Sequence, residues 1–163
     1  MPLRTNIAGM DSLYVFTDKL KKQKRDAVRI MKLILVDNEI GKEMKKKVID
    51  TMLWNISGLG EGSFGKYLIR FRSKKSLDNQ DARIIHEHVY PKKYLIEKIM
   101  NENNPDDETI DKIFGCIVTE DEHRELHKKE HKNLIGWERY KAAGIEVQDM
   151  IDNSPYKFPK QKE

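Results

Sequence analysis

The feature that most restricts the fold is a change of hydrophobic period part-way along the chain. Over residues 18–35 the apolar residues Leu20, Ala27, Ile30, Met31, Ile34 and Leu35 fall near one face, with lysines and arginines between them, the pattern of an amphipathic helix. Asp37-Asn38 interrupts it. A second helix is expected from the four-residue spacing of Ile40, Met44, Val48, Met52 and Ile56, and the pair reads as a helical hairpin burying one stripe. Residues 57–65 then form a glycine-rich turn. Beyond it the segments are short and the period falls to two: Tyr67, Ile69 and Phe71 alternate with Lys66, Leu68, Arg70 and Arg72, which predicts a strand with a basic outer side.

The remaining elements follow from the same reasoning. Residues 73–81 read as a polar loop and 82–89 as a short β-branched strand, ended by Pro91 because proline cannot donate to a continuing ladder. Residues 92–102 read as a helix with Tyr94, Leu95, Ile99 and Met100 on its apolar side. A loop over 101–107, a helical turn over 110–114 and a short apolar strand over 115–118 come next. Thr119 and Glu122 have capping-box spacing. They open a helix expected to reach about Leu134, with Gly136 as its stop. Trp137, Tyr140 and Ile145 are expected to be buried in a short element over 137–151, and the polar tail from Asn153 to be loose. The fold class is therefore α+β: a helical region over 1–60, a unit carrying the chemistry over 61–152 with a C-terminal helical cap, and a tail over 153–163.

Composition narrows the setting. A net charge of +4 and a pI of about 9.0 permit a polyanionic partner without requiring one. The single cysteine, Cys116, excludes an intramolecular disulfide framework and a zinc knuckle built from several cysteines, and a lone thiol fits a reducing compartment. No apolar run approaches the roughly 20 residues of a membrane span, and residues 1–10 lack a signal-peptide core. The expected location is the cytoplasm.

Five histidines carry the chemical signal: His86, His88, His123, His127 and His131, with none before residue 86. Positions four apart share a helical face, so His123 and His127 can present two imidazoles to one ion. In His86-Glu87-His88 adjacent residues point to opposite faces of a strand, so a ligand and a base at neighbouring positions require a twisted or bulged strand end. Arg70, Arg72, Lys92 and Lys93 are candidates for holding phosphates. Two apparent motifs are set aside. Residues 60–66 fit the G-x-x-x-x-G-K pattern, but Tyr67 stands where a P-loop needs Ser or Thr, and the order of helix and strand is reversed. His123-Arg124-Glu125-Leu126-His127 lacks the glutamate directly after the first histidine that a zinc protease needs.

Glu87-His88-Val89-Tyr90-Pro91 resembles the Asp/Glu/His-His-Ile/Val-x-Pro motif that opens the HNH (ββα-metal) nuclease fold, and Val118 to His123 followed by Leu126-His127 resembles its closing helix. The resemblance covers residues 82–131. It implies an antiparallel hairpin packed on a helix with one divalent ion between them. It also implies Glu87 or His86 as the strand ligand, His88 as the general base, and His123 with His127 completing the metal site. The chain departs from the family in its long spacing between His88 and His123, in lacking stapling cysteine pairs, and in its middle asparagine, for which Asn101, Asn103 and Asn104 are the candidates.

The expected function is a metal-dependent endonuclease hydrolysing phosphodiester bonds in DNA. Its cofactor would be one Mg, Mn, Ni or Zn ion acting as a Lewis acid, and an imidazole near its ordinary pKa would take a proton at neutral pH. A homodimer formed through the N-terminal helices would bring two sites to the two strands. The alternative is a nucleic-acid-binding module with a structural zinc and no catalysis. A closed four-ligand site would favour it and an open position would oppose it.

Overall fold

The computed structural model describes residues 18–58, 69–128 and 131–159. The glycine-rich pattern at 60–66, the first strand residues 66–68 and the ends of the chain lie outside these residues. The elements are α1 (Asp18–Val36), α2 (Lys42–Ile56), β1 (Phe71–Ser73), α3 (Lys74–Asp78), β2 (Ile84–His88) and α4 (Lys92–Glu102), followed by α5 (Asp107–Asp111), β3 (Gly115–Thr119), α6 (Glu120–Leu126), α7 (Trp137–Ala142), β4 (Val147–Asp149) and β5 (Ser154–Pro155). The class is α+β, as the change of period predicts. Among the described residues no helix is long and apolar enough to cross a membrane.

The two N-terminal helices pair as an antiparallel hairpin. In α1 the buried residues are Leu20, Ala27, Met31 and Leu35, while Ile30 faces solvent. In α2 the buried stripe is Ile49, Leu53 and Ile56, not the expected row of four-residue steps, and Met44 is 55% exposed. The reason is geometric. A step of four overshoots one helical turn by about 40°, so a row from Ile40 to Ile56 winds away from any single face. The 49–53–56 spacing stays on one side.

Five strands form one sheet in the order β2-β3-β1-β4-β5. β2 and β3 pair antiparallel, with His86 opposite Ile117, Glu87 opposite Cys116 and His88 opposite Gly115. β1 pairs parallel with β3 and antiparallel with β4, so it lies inside the sheet. This corrects the expected basic outer side: Arg72 is buried, because β1 is an inner strand of a sheet covered by helices on both faces.

The sheet lies between two helical layers. On one face Cys116, Val118, Phe71 and Val147 pack with Leu126 of α6 and with Trp137 and Tyr140 of α7. On the other, α2 approaches His86 and His88 through Trp54, backed by a core of Met31, Leu35, Ile49, Leu53, Leu95 and Ile99 shared by α1, α2 and α4. Each fully buried Leu or Ile in that core contributes about 1.5–3 kcal/mol. Gly115 is required by the close approach of His86. A Cβ placed there would lie 2.0 Å from the His86 Nε2.

Three boundaries differ from the sequence reading. Residues 74–78 form a helical turn, because the Ser73 hydroxyl accepts from the Ser76 N–H at 3.0 Å and so caps it. α6 stops at Leu126 rather than near Leu134. Its continuation tightens into three-residue bonds, His127 N–H to Arg124 O, Lys128 N–H to Glu125 O and Leu134 N–H to His131 O; residues 129–130 lie outside the described ones. Gly136, at φ +61°, leads into α7 instead of ending α6. The tail is also not loose over 154–159: Tyr156 and Phe158 pack on Trp137.

Candidate metal centre

Glu87 sits on β2 with its side chain turned to the α6–α7 face of the sheet. The ring of His123, in α6, presents Nδ1 at 2.7 Å from Glu87 Oε2. His127, the C-cap residue of the same helix, presents Nε2 to the same oxygen at 3.4 Å. These three ligand atoms lie within 4.8 Å of one another, so Glu87, His123 and His127 form a group that can hold a metal ion.

The local chemistry explains why they converge. The capping box forms as its spacing predicts, with Thr119 Oγ1 accepting from the Glu122 N–H at 3.3 Å and Glu122 Oε2 accepting from the Thr119 N–H at 2.8 Å. Ser73, at the end of β1, donates to that same Glu122 oxygen at 2.5 Å, which ties the first turn of α6 to the sheet. His123 is thereby held over β2, and one helical turn on, His127 stacks edge-on against it with ring centroids 4.5 Å apart.

The donor set fits a small divalent ion. Bonds of about 2.0–2.2 Å would hold tetrahedral ligands about 3.4 Å from one another; His127 Nε2 already stands at that distance from Glu87 Oε2, while the 2.7 Å between His123 Nδ1 and Glu87 Oε2 has to lengthen to admit an ion. Cys116 lies across from Glu87 but is not a member of the group; burial pushes its thiol well above the ordinary range. Burial does the same to the Tyr140 phenol beside it.

Arg139 completes the surroundings. It comes from α7, and its Nη2 donates to Glu87 Oε1 at 3.0 Å, to the His88 carbonyl at 2.8 Å and to the Val89 carbonyl at 3.0 Å. Its side chain is only 3% exposed.

The other sequence candidates are placed elsewhere. His86 and His88 share the opposite face of β2, stacked on each other with centroids 5.3 Å apart and edge-on to Trp54 of α2. Burial lowers the proton affinity of His88, and a long 3.5 Å contact to the Leu53 carbonyl only partly opposes this. The expected twist that would turn His88 beside Glu87 is therefore absent from β2, because Trp54 and α2 claim that face. His131 is buried beyond the end of α6, off the line of the other two helix histidines. Asn101, Asn103 and Asn104 lie at the C-terminal end of α4, the helix whose Leu95 and Ile99 join the α1–α2 core.

Of the four candidate phosphate contacts, Arg70 forms a two-pronged ion pair with Asp149 at 2.6–3.1 Å, which holds the Asp149 carboxyl below its usual range. Arg72 is buried. Lys92 pairs with Asp50 at 2.8 Å and lies over Trp54. Lys93 is exposed.

The sequence reading anticipates the burial of Tyr140 but does not single out Arg139. Within Trp137-Glu138-Arg139-Tyr140-Lys141 it is one of three charged residues, and nothing in that pattern marks it as buried. No protein-family model, curated protein or solved structure matches this chain.

Proposed function

We propose that this protein is a metal-dependent endonuclease of the HNH (ββα-metal) type, hydrolysing phosphodiester bonds in DNA with one divalent cation on Glu87, His123 and His127. The observation that carries this reading is the convergence of one carboxylate oxygen and two imidazole nitrogens from a strand of an antiparallel pair and the helix that follows it. Carboxylate-plus-imidazole sets suit zinc, nickel and manganese in different degrees. Three protein ligands leave positions for water and a substrate oxygen. The structural-zinc alternative needs a fourth protein ligand, and among the described residues the group has three members.

A bound dication supplies Lewis-acid stabilisation of a phosphoryl oxygen and activates water near neutral pH. The chain's own residues then do the following. Glu87 contributes the anionic oxygen Oε2. His123 and His127 contribute one ring nitrogen each and line the solvent side. Arg139 already balances the Glu87 charge, so the full charge of the ion is left to attract an anionic phosphodiester. His88 is not assigned the base role in this arrangement, since it faces α2.

The test is cleavage of supercoiled plasmid with Mg, Mn, Ni or Zn by wild type, His123→Ala and His88→Ala. Metal-dependent nicking that disappears in His123→Ala and persists in folded His88→Ala is the expected result. No cleavage with any metal, alongside stoichiometric zinc lost in His123→Ala, would overturn it in favour of the structural site.

A further inference from the structure

Arg139 has an arrangement that salt bridging alone does not account for. Its Nη2 faces three acceptors, Glu87 Oε1 and the carbonyls of His88 and Val89, while its buried Nε finds no hydrogen-bond partner among the described residues. The guanidinium is thus aimed by one nitrogen at the end of β2, although another buried N–H goes unmatched, a cost that natural structures rarely accept without reason. The effect on Glu87 is specific. Oε1 is taken by the cation, and Oε2 alone faces His123 and His127. The carboxylate is divided, with one oxygen for the protein and one for an ion.

We propose that Arg139 is a positioning and specificity-determining residue: it makes Glu87 a one-oxygen ligand and thereby biases the site toward small ions content with a single carboxylate oxygen and two imidazoles, zinc above all, over larger oxygen-seeking ions such as manganese. The inference rests on the metal reading given above and adds to it the choice of metal. Small tetrahedral zinc binds carboxylate oxygen at about 2.0–2.2 Å with nitrogen partners, whereas ions that prefer oxygen-rich octahedral shells gain from a second carboxylate oxygen. Freeing Oε1 offers them that oxygen. Arg139 touches no solvent-side ligand position, so it acts through Glu87.

Absolute affinities would not test this cleanly. Removing a buried cation near a dication strengthens binding through Coulomb's law, whereas losing an orienting partner weakens it by about 10–100-fold. The ratio of two dication affinities avoids the problem, because the charge effect is common to both.

The experiment is a paired titration of zinc alone and manganese alone into full-length wild type, Arg139→Met, Glu87→Gln and the double variant, by chelator competition. The expected result is a zinc-to-manganese affinity ratio at least about tenfold lower in Arg139→Met than in wild type. No further change should appear when Arg139→Met is added to Glu87→Gln. An unchanged or higher ratio overturns the proposal, and so does an equal fall in the Glu87→Gln background, which would mean a general structural role. Where Arg139→Met does not fold, Arg139→Gln takes its place, because its amide is too short to reach Oε1. Binding of neither ion by wild type would instead overturn the metal site itself, a distinguishable result.

Discussion

Removing the two kinds of metal ligand should separate the site's chemistry from its contribution to stability. Consider Glu87→Ala and His123→Ala, both measured without metal in chelator. Glu87 and Arg139 have side chains 8% and 3% exposed and form a buried ion pair at 3.0 Å. Truncating Glu87 leaves the guanidinium charge buried with only two carbonyls, and breaking a buried pair from one side costs about 3–5 kcal/mol. His123 is 34% exposed and its Nδ1 makes one hydrogen bond to Glu87, worth about 0.5–1.5 kcal/mol. In a chain of this size a kilocalorie shifts the melting temperature by roughly 2–4 °C. Glu87→Ala should therefore lower Tm by roughly 6–20 °C, and His123→Ala by about 1–6 °C. Both should lose the stabilisation that zinc confers on wild type, about 2.7 kcal/mol at a free concentration 100 times Kd. The assay is thermal unfolding followed by circular dichroism, with and without zinc. Equal Tm losses in chelator would refute the buried-pair reasoning. A zinc-induced rise retained in either variant would refute its assignment as a ligand.

Two further outcomes follow from the opposite face of the sheet. Gly115→Ala puts a Cβ 2.0 Å from the His86 Nε2, so it should cost about 1–3 kcal/mol of stability through overpacking; the double variant with His86→Ala should recover most of that loss, and a Gly115→Ala protein as stable as wild type in urea unfolding would refute the close approach. The second outcome concerns pH. Burial depresses the pKa of His88 in the folded protein below its ordinary 6.5, so as pH falls through 6.5 the unfolded chain takes up this proton first. The His88 contribution is therefore present above pH 6.5 and is lost below it, down to the folded-state pKa, with a slope of up to about 1.4 kcal/mol per pH unit. Unfolding free energies of metal-free wild type and His88→Leu between neutral and mildly acidic pH should differ by this slope, and identical slopes would refute it.

Much of this molecule is written locally. The helix over 92–102 follows from an apolar stripe of Tyr94, Leu95, Ile99 and Met100 and is found at those residues. The capping box at Thr119 and Glu122 depends on two residues three apart, and it forms. The short apolar strands over 82–89 and 115–118 reappear as a trimmed β2 and as β3, and the candidate set of Glu87, His123 and His127 converges, because helical spacing alone puts His123 and His127 on one side. Tertiary structure decided the rest. Alternation along β2 says that Glu87 and its two neighbouring histidines face opposite ways, yet it cannot say which face receives α6 and which receives α2. That is set by the packing of Trp54 against His86 and His88 and by the burial of Leu126 and Tyr140 on the other side. Arg72 looks like an exposed cation, yet β1 lies inside a sheet covered by helices and the side chain is buried. Arg139 lies 52 positions from the carboxylate it holds. Periodicity reports only neighbours within a turn or a pleat, whereas the partition of a sheet's two faces and the counter-charge of a buried carboxylate depend on contacts between residues far apart in the chain.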